Sequence, residues 1–434
     1  MLKRSIALAG AAVLAGVLGT GTASAGATRA AGVTDVQVAW VDAEHTNLKI
    51  TWTETAPAAN TLVLTGPAGG GLEFGTTTAG QPNEYVIDSA SLGNSSDPAE
   101  KNWIEVSDGS GTPGRSPDFD RFNYAGRTAT LAFTAEGSLQ WTLPADTSTD
   151  GTPDDPLDFA KTYTYAPQQR IDTVAGSSGE CEEVNLPQTG SPTGTVPSRG
   201  TPYNLFVNVD NEWGAAQGPY VTVTTTKSIT MTAPAATTYG TATTLTGVLS
   251  GASLYESGHP PACEETTGPV ANQPVVIQQR TSPTAAWTTV GTTKTDAQGK
   301  YTAVLTNPGH REYRVVRANQ VAAGSAAYGG TGGSASVRAI TRVVSAKFIT
   351  PTITLGTQPQ AYLWVDPAGT QQAALQFKNA SGVWQGLSYK TLSAGRGLLT
   401  FPWNRRGTTQ FRWWIPATAT ADATYSGVFT LTVR

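Results

Sequence analysis

Oxygen-bearing side chains crowd one turn of this chain. Asp146, Ser148 and Asp150 stand two residues apart, Gly151 permits a sharp turn, and Asp154 adds a further donor. Hard cations such as calcium are held by carboxylates and hydroxyls spaced in this way. Leu157 fills the position where a calcium loop ends on a bidentate carboxylate, so a site here would draw on Asp155 or Asp158 instead. Calcium is the single cofactor this reading suggests. A second cluster is aromatic and basic: Trp403, Trp413 and Trp414 lie among Arg405, Arg406 and Arg412. Adjacent residues of a strand face opposite ways, so one of Trp413 and Trp414 enters the core and the other turns outward. An outward indole beside guanidinium groups can stack on a sugar ring or on a partner side chain.

Catalytic chemistry is poorly supplied. The three histidines, His45, His259 and His310, fall in three different segments. No serine stands in a G-x-S-x-G turn, and no glycine loop follows a strand to cradle phosphate. His259, Cys263, Glu264 and Glu265 lack the paired spacing of a zinc site. Carboxylate pairs such as Asp118 and Asp120 could serve a glycosidase, but such pairs leave no sequence pattern. The expectation is a non-catalytic protein.

Location and partners follow from the ends and the charge. Residues 1–25 read as a secretory leader, with Lys3-Arg4, the apolar run Ile6–Leu18 and the small-residue cleavage site Ala23-Ser24-Ala25. The apolar run is short for a membrane span and no later stretch replaces it, so a secreted, extracellular protein without a span is expected. A net charge of −4 with no basic stripe argues against nucleic acid. The chain has two cysteines, Cys181 and Cys263, in stretches rich in Gly, Pro and Ser. An oxidising compartment favours a disulfide tying two loops and leaving the cores alone, over two free thiols. Leu186–Gly190 spells LPQTG, a sortase sorting motif, but it is followed by folded sequence and the chain runs out in the strand Gly427–Arg434. Coincidence in a Pro/Gly loop is the expectation there.

The elements that carry these residues are short strands. Gln273–Ala318 returns, diverged, as Gln372–Ala417: Val276-Ile277 matches Ala374-Leu375, Trp287 matches Trp384, Gly299 matches Gly397, and Tyr313-Arg314 matches Phe411-Arg412. A repeat of about 100 residues built of alternating strands around one tryptophan points to a β-sandwich used more than once. Forty-seven glycines, 27 prolines and 14 % charged residues suit strands and turns and disfavour long helices. Period-two alternation places Val36, Val38 and Trp40 on one face of one strand and Leu48, Ile50 and Trp52 on one face of the next.

The spacing of Trp52 and Trp103 resembles a fibronectin type III module. So do Ser138–Ala145, with Trp141 as a core residue, and Pro202–Thr226, where Tyr203, Leu205, Val207 and Val209 alternate inward. From Ser228 the sequence resembles bacterial Ig-like repeats, with a Tyr239-Gly240 turn and an Asp296–Tyr301 hairpin. These resemblances imply scaffold and bring no catalytic positions with them. The expected fold is all-β: tandem Ig-like or fibronectin type III-like β-sandwiches in an elongated array, over residues 33–122, 127–226, 228–340 and 342–434. The expected role is a secreted binding or adhesion protein that meets an extracellular polysaccharide or protein through surface loops and exposed aromatics. A purely structural spacer is the alternative.

Overall fold

A computed structural model describes residues 32–434 except 125, 159–162, 174–178 and 259. The expected leader, residues 1–25, and His259 lie outside the described residues. The fold is all-β, a tandem of sandwiches. Among the described residues the one helical element is the 3-10 turn Ser89–Leu92; everything else regular is strand. The chain folds as two compact units, residues up to 122 with 149–159, and 123–148 with 160–434.

The first unit is a sandwich of a three-stranded sheet (Val33–Trp40, Asn47–Glu54, Glu84–Asp88) and a four-stranded one (Leu72–Thr77, Asn60–Thr65, Trp103–Ser107, Gly114–Arg115). Alternation sends Val36, Val38, Leu48, Ile50 and Trp52 inward to meet Leu62, Leu64, Ile104 and Val106. Trp40 keeps its expected face, directly opposite Leu48. It ends its strand half-exposed, and its indole N–H donates to the Leu157 carbonyl at 2.9 Å, which pins the returning segment 149–158. Trp103 is also half-exposed, with the Arg115 guanidinium carbon 3.8 Å above its ring.

In the second unit Trp141, Tyr203, Leu205, Val207 and Val209 are buried, as alternation requires. The boundary expected between 226 and 228 is not a break. The strand Tyr220–Ile229 pairs with Tyr203–Asn211 through its first half and with Ala242–Ser257 through its second. It thereby belongs to one ten-stranded sheet, and Ala326 and Tyr328 of the next repeat enter the core around Trp141. Strand pairing therefore runs through the place where the ranges 127–226 and 228–340 meet.

The disulfide joins Cys181 to Cys263, with Cα atoms 4.8 Å apart. It does not tie loops. Cys181 lies in the strand Gly179–Asn185 and Cys263, fully buried, in the strand Ala262–Pro269, and these two strands pair within the ten-stranded sheet. The bridge consumes the one thiol that a His259–Cys263 metal site would have used.

The diverged repeat keeps its plan. Pro274–Arg280 pairs with Thr288–Lys294 and Arg311–Arg317, and likewise Gln371–Lys378 pairs with Trp384–Leu392 and Gly407–Ile415. Val275, Ile277, Tyr313 and Val315 fill one core; Ala373, Leu375, Phe411 and Trp413 fill the other. In the last hairpin Ala394 and Gly395 both take positive φ (47° and 72°), the backbone of a tight two-residue turn that matches strand twist. Hydrogen bonds cross the junction of the ranges 228–340 and 342–434: the Asp422 N–H donates to Ala339 O at 2.7 Å, and the His310 N–H to Thr420 O at 3.0 Å.

Candidate binding face

The last sandwich presents the outer face of one sheet whose side chains can be read from register. Directly opposed residues of antiparallel strands share a face. Ala374 opposes both Tyr389 and Trp414, and Trp414 opposes Tyr425, so Tyr389, Ala374, Trp414 and Tyr425 form one row across four strands. Tyr389 is 63 % exposed and Tyr425 50 %, with Trp414 half-exposed between them. The neighbouring row holds Gly386, Gln376 and Arg412. Arg412 donates from Nε to Gln376 Oε1 at 2.8 Å and lies between two rings, 4.5 Å over Trp384 and 3.9 Å over Tyr425. A guanidinium sandwiched in this way is pre-positioned by cation–π attraction.

At the far end of the same face, Lys378, Asn379, Arg405, Arg406, Thr408 and Gln410 line a cleft of about 390 Å³. None of Lys378, Arg405, Arg406 and Arg412 makes an ion pair with a described carboxylate. Gln410 to Trp414 is four strand residues, about 14 Å at the ordinary rise. One face therefore runs from a basic cleft to an aromatic row.

The structure sorts the aromatic residues singled out above. Trp413 is fully buried and Trp403 is 6 % exposed, packed edge-on against Phe377 and Phe411. Neither can stack on a ligand. Trp414 is the outward partner, and Arg405 and Arg406 lie at the opposite end of the face, Arg405 lying 5.2 Å over Phe377. The repeat itself carried the deciding signal: Tyr313 and Val315 correspond to Phe411 and Trp413, so Trp413 takes the inward position. Tyr389, Tyr425 and Gln376 were missed, since single residues on alternating strands have no motif. Trp287 and Trp384, expected at the centre of each repeat, are half-exposed beneath arginines.

The four oxygen donors proposed for calcium divide between the two units. Asp146 accepts from Tyr163 Oη at 2.6 Å and Ser148 Oγ at 2.6 Å and pairs with Arg127 at 2.8 Å. Burial pushes its carboxyl up, but those hydrogen bonds and the Arg127 charge outweigh it and bring the pKa down to about 2. Asp146 and Ser148 belong to the second unit, Asp150 and Asp154 to the first. Within the first unit a different set converges. Oxygens of Asp120, Asp155 and Asp158 lie within 4.8 Å of one another.

Asp155 is the organiser of that set. Its oxygens accept from the N–H groups of Leu157 (2.6 Å), Asp158 (2.9 Å) and Asp120 (3.0 Å) and from Thr152 Oγ1 (3.1 Å). Carboxyl groups this close raise one another's pKa. Burial raises Asp120 to about 6, reinforced by the charges of Asp155 and Asp150. Burial, then the charges of Asp155, Asp150 and Asp120, raise Asp158 to about 7.

Among the described residues no helix is long and apolar enough to cross a membrane. No protein-family model matches this chain, and no curated protein matches it. Among solved structures it is similar to the crystal structure of chicken CNTN1 FN1-FN3 domains, at 11 % identity over 71 % of this chain and 98 % of that one, with a TM-score of 0.23. A score that low carries no argument about function.

Proposed function

We propose that this is a secreted, non-catalytic binding protein whose last sandwich holds an anionic polysaccharide on its outer face. The observation that carries this reading is the comparison between the two repeats. Where the last repeat has Tyr389, Trp414 and Tyr425, the preceding one has Thr292, Val316 and Thr331 in the matching row. Where the preceding one neutralises itself with an Arg280–Glu312 ion pair at 2.6 Å, the last has Lys378 and Gln410. One copy of a common face has become aromatic and net basic. Rings of sugars would lie on the aromatic row, and acidic substituents would meet Lys378, Arg405 and Arg406. The leader pattern and the disulfide support export.

Co-sedimentation of the mature chain with insoluble anionic and neutral polysaccharides tests this. Retention on the anionic matrix should fall with salt and be lost in Trp414→Ala; equal retention of that variant would reject the assignment. A spacer role has one observation in its favour, the hydrogen-bonded continuity at Tyr220–Ile229 and Asp422, and retention on no matrix would leave it standing.

A further inference from the structure

Arg317 occupies a position that alternation reserves for the core. Tyr313, Val315 and Arg317 point inward along one strand, and Arg317 is 5 % exposed. The corresponding residues of the last repeat are Phe411, Trp413 and Ile415, all fully buried. The fold therefore accepts isoleucine where this repeat keeps a charge.

That charge is not neutralised from within. Arg317 makes no ion pair with a described carboxylate. Nη1 donates to Thr226 Oγ1 at 3.1 Å, and Nε is buried with no acceptor. Burial alone pulls its pKa down. Removing an unpaired guanidinium from water is costly, and a fold that can use isoleucine gains nothing by keeping it.

The guanidinium lines a pocket of about 290 Å³ formed where the strands Tyr220–Ile229, Ala242–Ser257 and Ala262–Pro269 meet the end of Arg311–Arg317. The other walls are small and uncharged, among them Gly251, Ala252, Gly268, Pro269, Val270 and Ala271. Gly251 is tight, since a Cβ there would lie 2.8 Å from the Val270 side chain, whereas a Cβ on Gly268 would meet nothing within 4 Å.

We infer that this pocket is a binding site for a carboxylate on a short aliphatic stem, received by the Arg317 guanidinium. A single positive charge matches a monoanion better than a phosphate dianion. The planar guanidinium fork matches the planar carboxylate, and the apolar walls suit the stem. The site is separate from the aromatic face of the last repeat and stands or falls without it.

Saturation-transfer NMR on the full chain, with propionate as probe and propionamide as its uncharged counterpart at constant chloride, tests the site. Wild type should give a saturable propionate signal and none for propionamide. Arg317→Ile, copying the sister repeat, should melt no lower than wild type without the probe and bind propionate at least tenfold more weakly. Gly268→Leu fills the pocket and leaves the guanidinium in place; it should lose the signal too, and it carries the test if Arg317→Ile does not fold. Equal signals from propionate and propionamide, no signal in wild type, or an undiminished signal in Gly268→Leu would overturn the assignment.

Discussion

Arg412 lies over the Trp384 ring, its guanidinium carbon 4.5 Å from the ring centre, as Arg314 lies 4.4 Å over Trp287 in the preceding repeat. Each arginine also donates from Nε to a glutamine, Gln376 or Gln278, at 2.8 Å. The Arg–Gln–Trp brace is thus a shared feature of the repeat, and what surrounds it differs. Replacing Arg314 with Ala should cost about 1 kcal/mol of stability, the usual worth of an exposed cation–π contact. Arg412→Ala should cost a similar amount and also weaken polysaccharide retention, because Tyr425 loses its support. Calorimetry and co-sedimentation on the same samples separate the two effects.

Trp413 and Trp414 should behave oppositely. Trp413→Ala empties a fully buried site and should destabilise by about 3–5 kcal/mol. Trp414→Ala should stay within about 1 kcal/mol of wild type and act on binding alone. Denaturant unfolding of the two variants checks this, and similar losses would contradict the assignment of faces.

The core residues of this protein were legible because alternation is a local signal. Leu48, Ile50, Trp52, Trp141 and Tyr203 follow it to the interior. Trp287 and Trp384 do not, because a strand's pattern cannot show that an arginine on a neighbouring strand will cap the ring. The continuity at 226–228 was hidden for a related reason: the change of resemblance at Ser228 reads as a boundary, yet Ser228 and Ile229 pair with Ser250 and Leu249. The binding face depends on register across four strands, which no single segment encodes. The repeat alignment did hold its key, since Val316 and Thr331 could have been compared with their successors.

The acidic cluster predicts a pH dependence with a definite sign. Asp120 and Asp158 have folded pKa values of about 6 and about 7, above the ordinary value of 3.8. Between those limits the folded state binds more protons than the unfolded one, so stability falls as pH rises from 4 towards 7. For Asp120, 5 % exposed, the loss is on the order of 3 kcal/mol. Melting of the first unit, followed with a chelator present, should drop over this window. Asp158→Asn should flatten the drop, and a melting temperature that rises with pH would refute the account.

Breaking the Cys181–Cys263 bridge should be costly, because it spans 82 residues and ties two paired strands. The chain-entropy account gives about 4.5 kcal/mol for a loop of that size. Cys181→Ser with Cys263→Ser should lower the melting temperature of the second unit and leave the acid-linked transition of the first unchanged.

The central claim concerns one face, and the most direct measurement reverts it. The triple substitution Tyr389→Thr, Trp414→Val and Tyr425→Thr copies the preceding repeat at each position of the row. Depletion isotherms on an insoluble anionic polysaccharide should show saturable binding for wild type and at least a tenfold weaker affinity for the reverted chain, with melting temperatures alike. Equal isotherms would contradict the account and remove the aromatic row as the site of binding.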